Sequence, residues 1–169
     1  MKIVCIISDV DHERYCIRER SKLAEAADLL ANVICRMSQL VAHVNKKFPK
    51  RKNVKRIIEG YDPKNIQETL PTSEYVAYTE NKGDKMAFCL NTQKNGSKLI
   101  DINTLTYVAV HELAHIASAD IGHTDEFWKN FRFLLIEAVK IDIYKSVDYS
   151  QHPEPYCGTT LQENILFNK

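Results

Sequence analysis

Apolar residues recur along this chain in two rhythms. The long one comes first: Leu23, Ala27, Leu30, Ile34, Met37, Val41, Val44 and Phe48 follow one another at alternating spacings of four and three. That repeat draws a stripe down one helical face, so residues 19–47 are predicted to form a long helix, ended by Pro49. Val33 and Leu40 carry apolar side chains onto its other faces. This favours a helix lying across its own domain's core over a coiled-coil dimer. Ahead of it, residues 2–7 read as a short buried strand, and residues 9–18 as a polar turn or loop with an exposed His12. Behind it, residues 61–73 read as a loop broken by Asp62-Pro63 and Leu70-Pro71.

The second rhythm is shorter. Residues 75–79, 86–90 and 98–102 are strand candidates, joined by Asn81-Lys82-Gly83-Asp84 and by a turn at Asn95-Gly96. A short antiparallel meander is the expected result. One of its strands should carry an unpaired edge, where an extended peptide can be held by main-chain hydrogen bonds. Asn103 or Thr104 then caps a second helix reaching to about Asp120, mostly apolar from Leu105 to Ala117 and so largely buried. Gly122 suits a left-handed turn. Thr124 can cap a further helix, with Asp125 and Glu126 in its first turn and Phe127, Phe131, Leu134, Leu135 and Val139 along one side. Beyond Asp142 there is no periodicity, only turn residues such as His152-Pro153-Glu154-Pro155. The fold class is therefore α+β: one domain over residues 1–169, with residues 143–169 as a tail wrapping the surface.

Composition narrows the setting. With 44% hydrophobic and 27% charged residues the chain is an ordinary globular one, and a net charge of +1 excludes a wholly basic nucleic-acid coat. Cys5, Cys16, Cys35, Cys89 and Cys157 are odd in number, widely spaced and without a CxxC pair, which indicates neither a disulfide framework nor a cysteine zinc finger. That usage suits a reducing compartment. Residues 1–8 are too briefly apolar for a signal peptide, and no stretch approaches the ~18 apolar residues of a membrane span. The expected location is intracellular, cytoplasmic or nuclear, with no membrane partner. One basic run stands out in residues 46–56: Lys46, Lys47, Lys50, Arg51, Lys52, Lys55 and Arg56. It can be a solvated helix end or a contact for DNA phosphates, and Phe48 alone gives little for base stacking.

The chemistry lies in His111-Glu112-Leu113-Ala114-His115. On a helix, positions 111 and 115 are one turn apart, so both imidazoles leave one face and can reach a single Zn2+ ion. Glu112 points about 100° away and is free to take a proton from the water bound there. Two histidines and a glutamate are costly on a buried helix unless something satisfies them. A catalytic zinc site needs a third protein ligand beside its water. His123, in the turn between two helices, is preferred. Glu137 competes, at the longer spacing where thermolysin-like enzymes carry a glutamate ligand.

His-Glu-Leu-Ala-His followed by Gly122-His123-x-x-x-Phe127-Trp128 resembles the WLM and SprT-like group of zinc metalloproteases, over about residues 104–131. The resemblance implies a zincin-like fold, zinc on His111, His115 and His123, Glu112 as general base, and a protein or peptide substrate, including protein associated or crosslinked with DNA. The metzincin pattern does not apply, because position 118 is Ser118 and His123 lies two residues too late. Oxyanion stabilisation could come from Tyr107, Tyr144, Tyr149, Tyr156 or His152. Two other classes stay open: a zincin-fold binding or scaffold protein without hydrolysis, and a zinc hydrolase of a non-peptide bond.

Overall fold

A computed structural model describes residues 2–70, 72–94 and 96–162. The long apolar stripe forms α1 (Leu23–Lys47), with Ala26, Ala27, Leu30, Val33, Met37, Leu40 and Val44 buried. Because buried residues occupy more than one face, α1 lies across the core as expected. The heart of the molecule is α3 (Ile102–Ala117), which packs on α1, on α2 (Lys52–Gly60) and on α4 (Asp125–Lys140). Asp101 caps α3, its carboxylate accepting from Thr104 N at 2.8 Å and from Thr104 Oγ1 at 2.7 Å. The predicted cap at Asn103 or Thr104 thus sits too late, and the helix ends at Ala117 instead of near Asp120. Thr124 caps α4 as predicted, and Gly122 takes a positive φ of 92°.

The strands depart further from expectation. β1 (Ile3–Ile7) exists but is a surface strand, with Ile3 and Ile7 about half exposed. It pairs antiparallel with β2 (Arg14–Arg18), inside the stretch predicted to be loop. There Tyr15 and Ile17 face inward while Arg14 and Cys16 are exposed, an alternation only two inward residues long. α2 was not predicted either. Its buried side is just Val54 and Ile57, and the lysines around them gave the segment the look of a charged loop.

The first hairpin of the predicted meander is present, and a parallel strand joins it to make a mixed three-stranded sheet. β3 (Ile66–Glu68) runs parallel to β5 (Lys85–Phe88), which pairs antiparallel with β4 (Ala77–Glu80). The strand order β3-β5-β4 makes β4 an edge. The predicted third strand over residues 98–102 reduces to one antiparallel bridge, Asn91 to Leu99; Asn95 of its proposed turn lies outside the described residues. Buried Glu68 ties β3 to the N-terminal hairpin through the guanidiniums of Arg18 and Arg20.

Two disulfides, Cys5–Cys16 across the hairpin and Cys89–Cys157, correct the reading of the cysteines as unpaired thiols; Cys35 is free. They remove the cysteine argument for a reducing compartment. The segment after α4 is stitched into the core. Tyr144, Tyr149 and Tyr156 are buried, β6 (Glu154–Tyr156) pairs with β7 (Thr159–Leu161), and Tyr156 Oη donates to Cys89 O at 2.7 Å. Residues 163–169 of the expected tail lie outside the described residues. Among the described residues no helix is long and apolar enough to cross a membrane.

Candidate metal centre

α3 carries His111 and His115 one turn apart, and the turn after it brings His123 beside them. Their ring centroids are 5.1, 5.1 and 5.0 Å apart, and their candidate ligand atoms all lie within 4.8 Å of one another. Three nitrogens bound tetrahedrally to zinc at about 2.0–2.1 Å stand about 3.4 Å apart. The donor set therefore fits such an ion after modest side-chain rotation. Phe127 forms an aromatic floor, its centroid 4.9, 4.4 and 4.8 Å from His111, His115 and His123. Trp128 flanks His123 at 5.7 Å. The Phe-Trp pair following the third histidine is thus the packing that holds the rings.

Glu112 lies one residue round the helix and is 3% exposed. Its Oε2 is 3.0 Å from His111 Nδ1, and its Oε1 accepts from Thr79 Oγ1 at 2.8 Å. In the tautomer that suits a metal, Nδ1–H of His111 donates to this carboxylate and Nε2 carries the lone pair. His115 is held in its neutral form. Burial is the main cause, with His111 and His123 adding to it against the pull of Glu112, and its pKa falls to about 4. A neutral imidazole is the ligand form.

Glu137, the rival third ligand, is elsewhere. It is buried on α4, 2.9 Å from His43 Nε2 and 3.1 Å from Lys140 Nζ. None of the residues weighed for oxyanion stabilisation lines the cleft. Tyr107, Tyr144, Tyr149 and Tyr156 are core residues, and His152 is exposed away from the histidine cluster's lining. The tyrosines that do line the site are Tyr75, just before β4, and Tyr78, within it, which sequence reasoning passed over because nothing in their spacing marks them.

The cluster lines an open cleft of about 730 Å³ between β4 and the turn at Ile121 and Gly122. That volume lies within the range of ligand-binding clefts. Of the basic run, Arg51 stacks over Phe48 and Phe133, and Arg56 donates to Ala117 O and faces Glu126. Lys46, Lys50, Lys52 and Lys55 stay exposed.

No protein-family model matches the chain. No solved structure matches it either. Three viral proteins are similar. Uncharacterized protein 136R of Invertebrate iridescent virus 6 is 30% identical over 96 residues, 56% of this chain and 53% of its own length. Uncharacterized protein 042R of Invertebrate iridescent virus 3 is 43% identical over 51 residues, 30% of this chain and 31% of its own. Uncharacterized protein R325 of Acanthamoeba polyphaga mimivirus is 33% identical over 163 residues, 94% of this chain and 82% of its own length. A similarity that extends over 94% of this chain and 82% of its relative joins them by common descent, and this chain belongs to the family of the mimivirus protein R325.

Proposed function

We propose that this chain is a zinc-dependent metallopeptidase of zincin-like fold, akin to the WLM and SprT-like group. The observation that carries the reading is three imidazoles converging within 4.8 Å beside a buried carboxylate, in the lining of a cleft bordered by an edge strand. His111, His115 and His123 are the zinc ligands. A zinc ion held there would supply Lewis acidity towards a scissile carbonyl and lower the pKa of water.

The chain's own residues do the rest. Glu112 takes the water proton and delivers it to the leaving amine. Thr79 and His111 hold that carboxylate from two sides. The edge strand β4 offers unpaired main-chain groups to an extended segment, which favours a peptide over a non-peptide substrate. Lys46, Lys50, Lys52 and Lys55 would meet the phosphates of DNA in a DNA-associated protein substrate.

The test pairs metal analysis with hydrolysis of unfolded, peptide and DNA-bound protein substrates. Glu112→Gln should keep stoichiometric zinc and lose roughly 10²–10⁴-fold in turnover; an unchanged rate refutes the base. His123→Ala should come through purification short of zinc, while His111 and His115 still bind added metal weakly. Zinc retained with no substrate cleaved would instead favour the scaffold reading. Faster cleavage of DNA-bound than of free protein, lost when the four lysines become glutamine, is the outcome expected for the DNA contact.

A further inference from the structure

Seven residues separate His115 from His123, and five of them, 118–122, lie outside any helix. A segment of that length does not by itself place a third ring against two rings on a helix. Something must set its span.

The start of the segment is tied to the neighbouring helices. Ser118 Oγ donates to Ala114 O at 2.7 Å and accepts from Asn130 Nδ2 at 2.9 Å. The backbone N–H groups of Ala119 and Asp120 donate to the Glu126 carboxylate at 3.0 to 3.2 Å. The carbonyl side of the segment is held from elsewhere. Lys82 Nζ, at the tip of the β4–β5 hairpin, donates to His115 O at 2.7 Å and to Asp120 O at 2.9 Å. One ammonium thus joins the carbonyl of the second ligand to a carbonyl three residues before the third.

The hairpin tip is itself fixed. Lys82 has a φ of 55°, and Gly83 meets Gly60 so closely that a Cβ on Gly83 would lie 1.9 Å from Gly60 O. The lysine therefore reaches out from a clamped base.

We propose that Lys82 is a positioning residue for the metal centre, setting the His115-to-His123 span so that three nitrogens can close on one ion. The proposal rests on the zinc reading above. A last-turn carbonyl of a helix can be solvated in place of an ammonium, so losing Lys82 leaves α3 standing and frees the segment. The ligand rings would still be present, at a less favourable separation.

The experiment uses the full chain, stripped of metal and titrated with Zn2+ against a chromophoric chelator, then with Co2+ while its visible absorption is recorded. Lys82→Met should bind Zn2+ roughly 10–100-fold more weakly, the range for partners that orient metal ligands. Its Co2+ spectrum should shift towards that of His123→Ala, and Lys82→Arg should recover most of the affinity. In the His123→Ala background Lys82→Met should add nothing, since the lysine acts through that ring. If Lys82→Met does not fold, Lys82→Gln, too short to span both carbonyls, serves in its place.

Wild-type affinity and an unchanged Co2+ spectrum in the folded variant would overturn the positioning role alone. An equal loss in the wild-type and His123→Ala backgrounds would overturn it too, pointing to general stability. A wild-type chain that binds no Zn2+ would sink the zinc reading and this proposal together.

Discussion

At the scale of single residues, the candidate base is held on both oxygens. Thr79 donates to Oε1 and His111 stands at Oε2, so the carboxylate has one orientation available inside a buried setting. A hydrogen bond to a charged group contributes about 1.5–3 kcal/mol, or roughly 10–100-fold in a rate that depends on it. Thr79→Val should therefore leave zinc content unchanged and slow hydrolysis by roughly that factor, with Thr79→Ser restoring it. Equal turnover in the valine variant would show that Glu112 needs no such support. His111, Glu112 and His115 were legible in the sequence because helical periodicity alone puts two imidazoles on one side. Thr79 was not, since it meets Glu112 across 33 positions of chain and no local pattern encodes that meeting.

Among elements, the coupling of α1 to α4 runs through Glu137. Burial raises the pKa of its carboxyl, but hydrogen bonds from His43 and Lys140 and the charges of Lys140 and Lys47 outweigh it and leave the group below the ordinary carboxylate range. A depressed folded-state pKa means stability that is present above the unfolded value, near about 4.3, and lost as pH falls through the lower folded value. Thermal unfolding from pH 7 to pH 3 should accordingly show a loss on acidification that Glu137→Gln reduces. The same variant should keep its zinc, which separates this carboxylate from the ligand set. Helices α1, α3 and α4 were readable because each repeats its apolar positions over several turns. β2, β3 and α2 carry two or fewer inward apolar residues apiece. Such elements exist because a neighbour covers them, as the guanidiniums of Arg18 and Arg20 cover Glu68, and short patterns cannot announce a distant partner.

For the molecule as a whole, the tail is a structural strap. The Cys89–Cys157 bridge closes a separation of 68 residues, and Tyr156 and the backbone of Cys157 bond onto the segment after β5. Removing such a cross-link from a domain this size costs about 2–5 kcal/mol. Cys157→Ser should lower the unfolding midpoint. In a chain whose other bridge is removed by Cys5→Ser and Cys16→Ser, a reductant should move the curve to where Cys157→Ser places it, and should leave the Cys157→Ser curve in that background unaffected. A midpoint indifferent to reductant in that background would mean the Cys89–Cys157 bridge contributes nothing to stability.

The sequence by itself determined the long helix, the buried helix bearing HELAH, the capped helix after it and the α+β class, because these follow from periodicity and capping within a few residues. Only the tertiary structure decided that β4 is the edge beside the cleft, that β3 enters parallel, that Glu137 serves His43 and Lys140, and that four cysteines pair. Each of those depends on which distant groups meet when the core closes, and burial energy is indifferent to their separation along the chain.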